Sequence, residues 1–229
     1  MNRRTLDIIF AGGGVLIGVL LLVLGFVLAD QASFAKSYVK TELSEQKITF
    51  AAADVLKDEE KNWKPGSTCL VENAGKQMET GKQAECYASY YIALHMDTSA
   101  KTAGYEGATY ATMGAVQTTL RADIAAAKTK NDTAAADAAQ KKLDAATSLR
   151  STFQTGETLR GLLLTSYGFS VFGEKADLAA TVCYLGAALL MLLGLAGFVH
   201  AFMTPREKWV GVPATAINPN ANAAPSGAR

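Results

Sequence analysis

Two long runs of apolar residues, one near each end, dominate the hydrophobic pattern of the chain. The first, Ile8–Ala29, has 22 residues without a charge, and as a helix it measures about 33 Å. The second, Leu178–Met203, is also uncharged if His200 is neutral. Because the hydrocarbon core of a bilayer is roughly 30 Å thick, each run predicts a transmembrane helix. Residues 30–177 between them are long enough to form one domain with its own core.

Basic residues outside the two runs predict the orientation in the membrane. They are Arg3 and Arg4 before the first run, and Arg206 and Lys208 after the second. By the positive-inside rule both ends are cytoplasmic, and the middle domain is extracytoplasmic, at the plasma membrane. Residues 1–7 then form the cytoplasmic N-terminus. Residues 204–229 form a cytoplasmic tail whose Ala, Asn and Pro content predicts disorder.

A cleaved signal peptide is the alternative interpretation of the first run. Arg3 and Arg4 give it a basic start, and Val27–Ala29 resembles a small-residue cleavage site. The apolar part of a signal peptide usually has about 7–15 residues, and this run is longer. The length favours an uncleaved anchor, although the sequence leaves cleavage open.

The first part of the middle domain combines predicted helices with polar loops. Residues 30–46 contain no Pro or Gly and predict that the first helix continues outward. Residues 57–68 predict a polar loop in which Glu59-Glu60 shows no sign of burial. Residues 82–96 predict a helix with an aromatic core face, and residues 97–109, with two glycines, predict a loop.

The clearest helical periodicity lies in residues 110–155 and predicts an antiparallel αα-hairpin. Lys130–Thr133 supplies turn and N-cap residue types between its two helices. Gly156–Gly173 predicts a further apolar helix, in the core or at the membrane interface, ending at Glu174–Asp177 before the second span. The fold class is therefore all-α, with two transmembrane helices flanking an extracytoplasmic helical bundle. The predicted inner faces of the hairpin are Met113, Val116, Leu120, Ile124 and Ala127, and Ala139, Leu143, Ala146, Leu149 and Phe153.

The cysteines favour an oxidising compartment for the middle domain. A bridge between Cys69 and Cys86 would close a loop of about 18 residues and stabilise the fold by roughly 3 kcal/mol. Disulfides persist outside the cytoplasm. Two unpaired thiols remain the alternative. Cys183 lies inside the second span, where it acts as a small apolar residue.

The glycines of the first span predict helix packing and not phosphate binding. Gly12-Gly13-Gly14 lies in an apolar run and lacks the following Lys-Ser/Thr of a phosphate loop. Gly14 and Gly18 form a small-xxx-small pair that lets another membrane helix approach closely. A net charge of +1, without a basic stripe interleaved with aromatics, gives no reason to expect nucleic acid.

Four segments carry a family resemblance. They are Gln46–Phe50, Gln83–Tyr87 leading to His95, Ala108–Ala111, and Gly156–Thr165. Together they resemble a family of two-span membrane proteins of actinobacteria without an established activity, often labelled "aromatic ring-opening dioxygenase". The resemblance covers residues 1–203 and implies a membrane-anchored extracytoplasmic domain. Its most specific part includes Gly156, Glu157, Leu159, Arg160 and Gly161.

The two histidines argue against a ring-opening iron site. Such a site needs two histidines and a carboxylate, and the predicted topology puts about 30 Å of membrane between His95 and His200. His95 with Glu85 or Asp97 would bind a metal only weakly. No catalytic motif is present, so we predict no enzyme activity, catalytic residue, metal or cofactor.

Three functional hypotheses follow. The first is a structural or interaction protein that organises a membrane or cell-envelope complex, with the lipid bilayer and either a membrane-protein partner or a second copy as its partners. The second is an extracytoplasmic ligand sensor that signals through a partner, because no output domain follows the second span. The third is an enzyme of unrecognised type.

Overall fold

The computed structural model describes residues 3–205, and Arg206, Lys208 and the predicted disordered tail lie outside the described residues. Two long apolar helices flank a central helical region, which confirms the predicted all-α class. Within the described part, Thr49 and Gln77 form an isolated antiparallel bridge. The α-helices are α1 (Arg3–Glu45), α2 (Asp58–Asn62), α3 (Cys69–Glu72), α4 (Gly81–Cys86), α5 (Ala93–Thr102), α6 (Tyr110–Thr129) and α7 (Thr133–Met203), and a π-helical segment (Tyr87–Ile92) joins α4 to α5.

The described chain divides into two compact units. Unit 1 contains residues 3–30 and 176–205, and unit 2 contains residues 31–175. The helices α1 and α7 each contribute to both units. The predicted domain limits, 30–177, lie within two residues of those of unit 2.

Unit 1 consists of two helical stretches that are long and apolar enough to cross a membrane. Only 17% and 11% of their most apolar windows are buried inside the protein. The core helix of a soluble protein would be mostly buried. Large apolar side chains cover the outside of both stretches, among them Phe10, Leu20, Leu185 and Leu192. A lipid environment accounts for this surface better than water does.

Small residues bring the two stretches of unit 1 together. A Cβ on Gly18 would lie 3.2 Å from Met191 Cγ and 3.3 Å from the Ala187 carbonyl oxygen. A Cβ on Gly14 would meet the Leu190 carbonyl oxygen at an ordinary 3.8 Å. Both predicted packing glycines therefore face α7 of the same chain, and Gly18 makes the closer approach.

Unit 2 encloses the main hydrophobic core, and the hairpin of α6 and α7 supplies one side of it. At the turn, Asn131 has a positive φ of 56°, and Asp132 Oδ1 accepts a hydrogen bond from the Ala135 amide at 2.9 Å. Asp132 therefore caps the start of α7. The buried residues of the two inner faces include Met113, Gln117, Leu120, Ile124, Ala127, Ala146, Leu149 and Phe153.

The predicted disulfide is present in unit 2. Cys69 at the start of α3 is bonded to Cys86 at the end of α4, with their Cα atoms 6.1 Å apart. The bridge joins elements separated by 17 positions in sequence. Cys183 is a free thiol.

Two predicted boundaries are wrong, and the predicted polar loop 57–68 contains the short helix α2 (Asp58–Asn62). The helix predicted to end at Glu174–Asp177 continues without a break, because Glu, Lys and Ala favour helix and only the hydrophobicity changes there. The loop predicted from residue 97 begins after Thr102. Gly104 ends α5 with a φ of +77°, which glycine adopts without strain, so the helix stops at the glycine and not before it.

We expect Gly18→Leu to destabilise the packing of the two stretches of unit 1 by about 1–3 kcal/mol, because the larger side chain overlaps the α7 backbone. The thermal melting midpoint of the full chain in mild detergent measures the loss. Gly13→Leu is the matched control, since a Cβ on Gly13 meets no heavy atom within 4 Å. Equal melting midpoints for the two variants would contradict the packing role of Gly18.

Candidate functional site

The most unusual backbone in unit 2 is the π-helical segment Tyr87–Ile92. It continues α4, whose start is capped by Thr80. The Thr80 side chain accepts a hydrogen bond from the Gln83 amide at 3.2 Å, and the Gln83 side chain accepts one from the Thr80 amide at 3.0 Å. Short π-helical turns are rare and often mark functional sites. The surroundings of this segment are therefore the candidate site.

An aromatic ladder runs along the segment, and we define it as Phe50, Tyr87, Tyr91 and His95. Ring centroids lie 5.4 Å apart for Phe50 and Tyr87, and 4.6 Å apart for the stacked Tyr87 and Tyr91. The His95 ring lies 4.2 Å from that of Tyr91. Aromatic pairs of this kind each contribute about 0.5–1.5 kcal/mol beyond burial. The ladder fixes the position of His95 at its end.

Burial raises the pKa of Tyr87 to about 12, and the neighbouring Tyr91 adds to the shift. A charged phenolate at this place would lose water and face a second phenol. Tyr87 therefore stays neutral, as a packing residue, through the physiological range.

The imidazole of His95 is held on both sides. Its Nδ1 lies 2.8 Å from the Tyr91 carbonyl oxygen, and its Nε2 lies 3.7 Å from Glu60 Oε1. The two carboxylates considered in sequence pair elsewhere, Glu85 with Lys82 and Asp97 with Lys101. Residues two apart on a helix do not face each other, which excludes Asp97 by geometry.

The burial of Glu60 differs from the expectation, because the sequence gave no sign that this side chain is buried. Its side chain is only 10% exposed. Glu60 Oε2 accepts a hydrogen bond from the Lys57 amide at 2.7 Å, which caps α2. Glu59 beside it is exposed. One sequence signal of this position was available. Glu60 stands three positions after Lys57, the residue that caps α2, and this is the spacing of a capping box.

A cleft of about 410 Å³ opens over the Glu60–His95 pair. Its polar lining is Lys57, Glu59, Glu60, His95, Thr98, Ser99 and Thr102. His95 also lines a second cleft of about 510 Å³, together with Tyr87, Tyr91 and α7 residues that include Gly156 and Leu159. His95 thus borders two concave surfaces. Within residues 3–205, no three His, Cys, Asp or Glu side chains converge on one point.

The segment that carries the family resemblance packs against the π-helical turn. Arg160 Nε donates a hydrogen bond to the Ala88 carbonyl at 3.0 Å, and its Nη1 pairs with both Glu157 oxygens at 2.8 and 2.9 Å. A Cβ on Gly156 would overlap the Met96 side chain, which would have to move to make room for it. In contrast, a Cβ on Gly161 would have no neighbour within 4 Å. The sequence did not reveal the contact of Arg160 with the Ala88 carbonyl or that of Gly156 with Met96.

Comparison with protein-family models, with curated proteins and with solved structures finds no match to this chain. The family resemblance stays a prediction.

An exposed groove with a mainly apolar lining lies between α1 and α7 in unit 2, and we call it the apolar groove. It has a volume of about 370 Å³. Leu162 and Phe169 on its rim are 63% and 50% exposed, whereas Leu163 is 3% exposed and belongs to the core. The helix around residue 162 therefore has one face in the core and one face open. The apolar lining consists of Tyr38, Val39, Leu43, Ile48, Leu159, Leu162, Leu163 and Phe169.

The remaining histidine belongs to unit 1. His200 Nε2 lies 3.9 Å from Asp7 Oδ2. The two histidines thus sit in different units of the described chain.

We expect Arg160→Ala to lower the free energy of unfolding by about 1.5–3 kcal/mol, because the variant removes a charged donor from a backbone carbonyl. The thermal melting midpoint of the full chain measures the change. Arg121→Ala, at an exposed position of α6, is the control and should melt like the wild type. Equal stability of the two variants would show that water satisfies the Ala88 carbonyl.

We expect the stability of unit 2 to fall as the pH rises from about 10 to about 12, through the raised pKa of Tyr87. Below pH 10 its phenol is protonated in both states. Above this pH the unfolded chain releases the proton while the folded chain keeps it, which favours unfolding. Melting midpoints measured against pH should show a steeper decline for the wild type than for Tyr87→Phe. Identical declines would disprove the assignment.

Proposed function

We propose that this chain is an integral membrane protein of the plasma membrane that acts as an interaction protein. Both termini lie in the cytoplasm, and residues 30–177 lie outside it. The disulfide between Cys69 and Cys86 supports an oxidising location for unit 2. The basic residues Arg3 and Arg4, before the first apolar run, support the orientation.

The apolar groove is the observation that carries the proposal. A large apolar side chain that is half exposed or more loses hydrophobic free energy in water, and several of them along one groove mark a binding surface. The groove contains Leu162 and Phe169, and Tyr38 is 49% exposed on the α1 side. Other apolar residues of unit 2 are also exposed, such as Val55 and Val71, but they lie outside the apolar groove.

The form of the groove favours a helical occupant. Two helices with open apolar residues between them offer the surface into which a third, amphipathic helix packs. The occupant that we propose is a helix of a membrane-protein partner that stands beside α1 and α7. The chain would then support or organise a membrane or cell-envelope complex, and it would need no catalytic residues of its own.

A second candidate function is ligand sensing, and the cleft over Glu60 and His95 favours it. A buried carboxylate and an oriented imidazole at one cleft are the polar groups that fix a small ligand. A sensor of this architecture would pass its signal to a partner. Ligand sensing and partner binding are therefore compatible.

We expect Leu162→Asn and Phe169→Asn to reduce the yield of the partner complex about tenfold or more. The lost apolar contact is worth about 1.5–3 kcal/mol for one side chain, and each 1.4 kcal/mol is a tenfold change in affinity. The measurement is the amount of a stoichiometric membrane-protein partner recovered with the tagged full chain from native membranes.

Val55→Asn is the matched control, since Val55 is 67% exposed and lies outside the groove. It should recover the partner like the wild type. Circular dichroism should show the same helicity in all three variants. Recovery of the chain without a partner, or equal recovery by all variants, would disprove docking at the groove.

A further inference from the structure

The second cleft of unit 2 has the size of a small-molecule site. Its volume is about 510 Å³, and such sites usually measure about 300–1,000 Å³. Its lining comes from the π-helical segment and α5 on one hand, and from residues 151–159 of α7 on the other. These helices approach each other closely where Gly156 faces Met96, and both residues line the cleft. The walls of the cleft are therefore helical throughout.

The second cleft has no carboxylate, ammonium or guanidinium group in its described lining. In contrast, the cleft over Glu60 and His95 also includes Lys57 and Glu59, and the apolar groove includes Glu42. A charged ligand that left water for the second cleft would find no counter-ion, and burying an unpaired charge costs much free energy. The lining therefore favours an uncharged ligand.

Hydroxyl groups supply the polar part of this lining. Ser151 and Thr155 lie one turn apart on α7, and both are exposed. Several other Ser and Thr hydroxyls of α7 donate to the carbonyl four positions earlier, as those of Thr152 and Thr158 do. Within residues 3–205, the Ser151 and Thr155 hydroxyls have no hydrogen-bond partner. Each of them can therefore donate to a ligand and accept from it.

The rest of the lining is aromatic or apolar. Tyr87, Tyr91 and His95 of the aromatic ladder line the cleft, and their ring centroids lie 4.6 and 4.2 Å apart along the series. Because the packed rings hold one another in place, this wall is formed before a ligand arrives, which lowers the cost of binding. Met96 and Leu159 add apolar area. A matching ligand has C–H groups for this wall and hydroxyl groups for α7.

We propose that the second cleft binds an uncharged saccharide of one or two rings. A sugar ring combines C–H groups with hydroxyls that both donate and accept, and it carries no charge. A purely apolar ligand would leave the Ser151 and Thr155 hydroxyls without partners, which costs free energy. This site goes beyond partner docking at the apolar groove and shares Leu159 alone with its described lining.

The test uses the full chain in a detergent without a sugar headgroup, with an affinity tag that lacks histidine. The chain has two histidines, so ¹³C labelling of histidine gives two ring signals, and His200→Gln assigns them. N-acetylglucosamine or maltose, both uncharged, should shift the His95 signal to saturation and leave the His200 signal in place. Glucosamine, a cation, and glucuronate, an anion, should bind about tenfold more weakly at the same pH, because their charges find no counter-ion.

Thr155→Val tests the hydroxyl contact, because valine keeps the branched shape and loses the hydroxyl. We expect the affinity for the saccharide to fall roughly two- to tenfold, which is the range for one neutral hydrogen bond. Thr158→Val is the matched control on α7, since the Thr158 hydroxyl donates to the Gln154 carbonyl and lies outside the cleft. It should bind like the wild type, and circular dichroism should show equal helicity for both variants.

Three results would overturn the proposal. The first is a His95 signal that moves with neither uncharged saccharide. The second is charged sugars that bind as tightly as the uncharged ones, and the third is equal affinity for Thr155→Val and Thr158→Val. None of these results bears on the apolar groove, whose test measures the recovery of a membrane-protein partner.

Discussion

One charged hydrogen bond between α7 and the π-helical segment organises this side of unit 2. The Ala88 carbonyl lies in the π-helical segment, and Arg160 of α7 donates to it at 3.0 Å. Glu157 holds the guanidinium in place. This hydrogen bond holds the π-helical segment against α7. It therefore helps to position Tyr87 and Tyr91 of the aromatic ladder, which lie in that segment.

Gly156 supports the hydrogen bond between Arg160 and Ala88, because it leaves room for α5 beside α7. Gly156 lies one turn before Arg160 on α7, and a Cβ there would overlap Met96 Sδ. The close approach lets α5 pack against α7 while Arg160 reaches Ala88. A charged donor and a missing side chain thus act together. This explains physically why a short, glycine-bearing segment stands out in the sequence even though it carries no catalytic group.

Local sequence patterns predicted the parts of the fold that depend on neighbouring residues in the chain. The apolar runs, the hairpin with Asp132 at its turn, and the disulfide required only local spacing and residue type. The sequence could not predict the burial of Glu60 or its position beside His95, because both depend on how a loop folds over a distant helix. It also missed the continuity of α7, since a change from apolar to charged residues resembles a helix end when only hydrophobicity is read.

The cleft, the ladder and the apolar groove are adjacent within unit 2. His95 lines both clefts, and Leu159 lines both the second cleft and the groove. Leu159 precedes Arg160, so a rearrangement of this turn of α7 would move the groove and the support of the π-helical turn together.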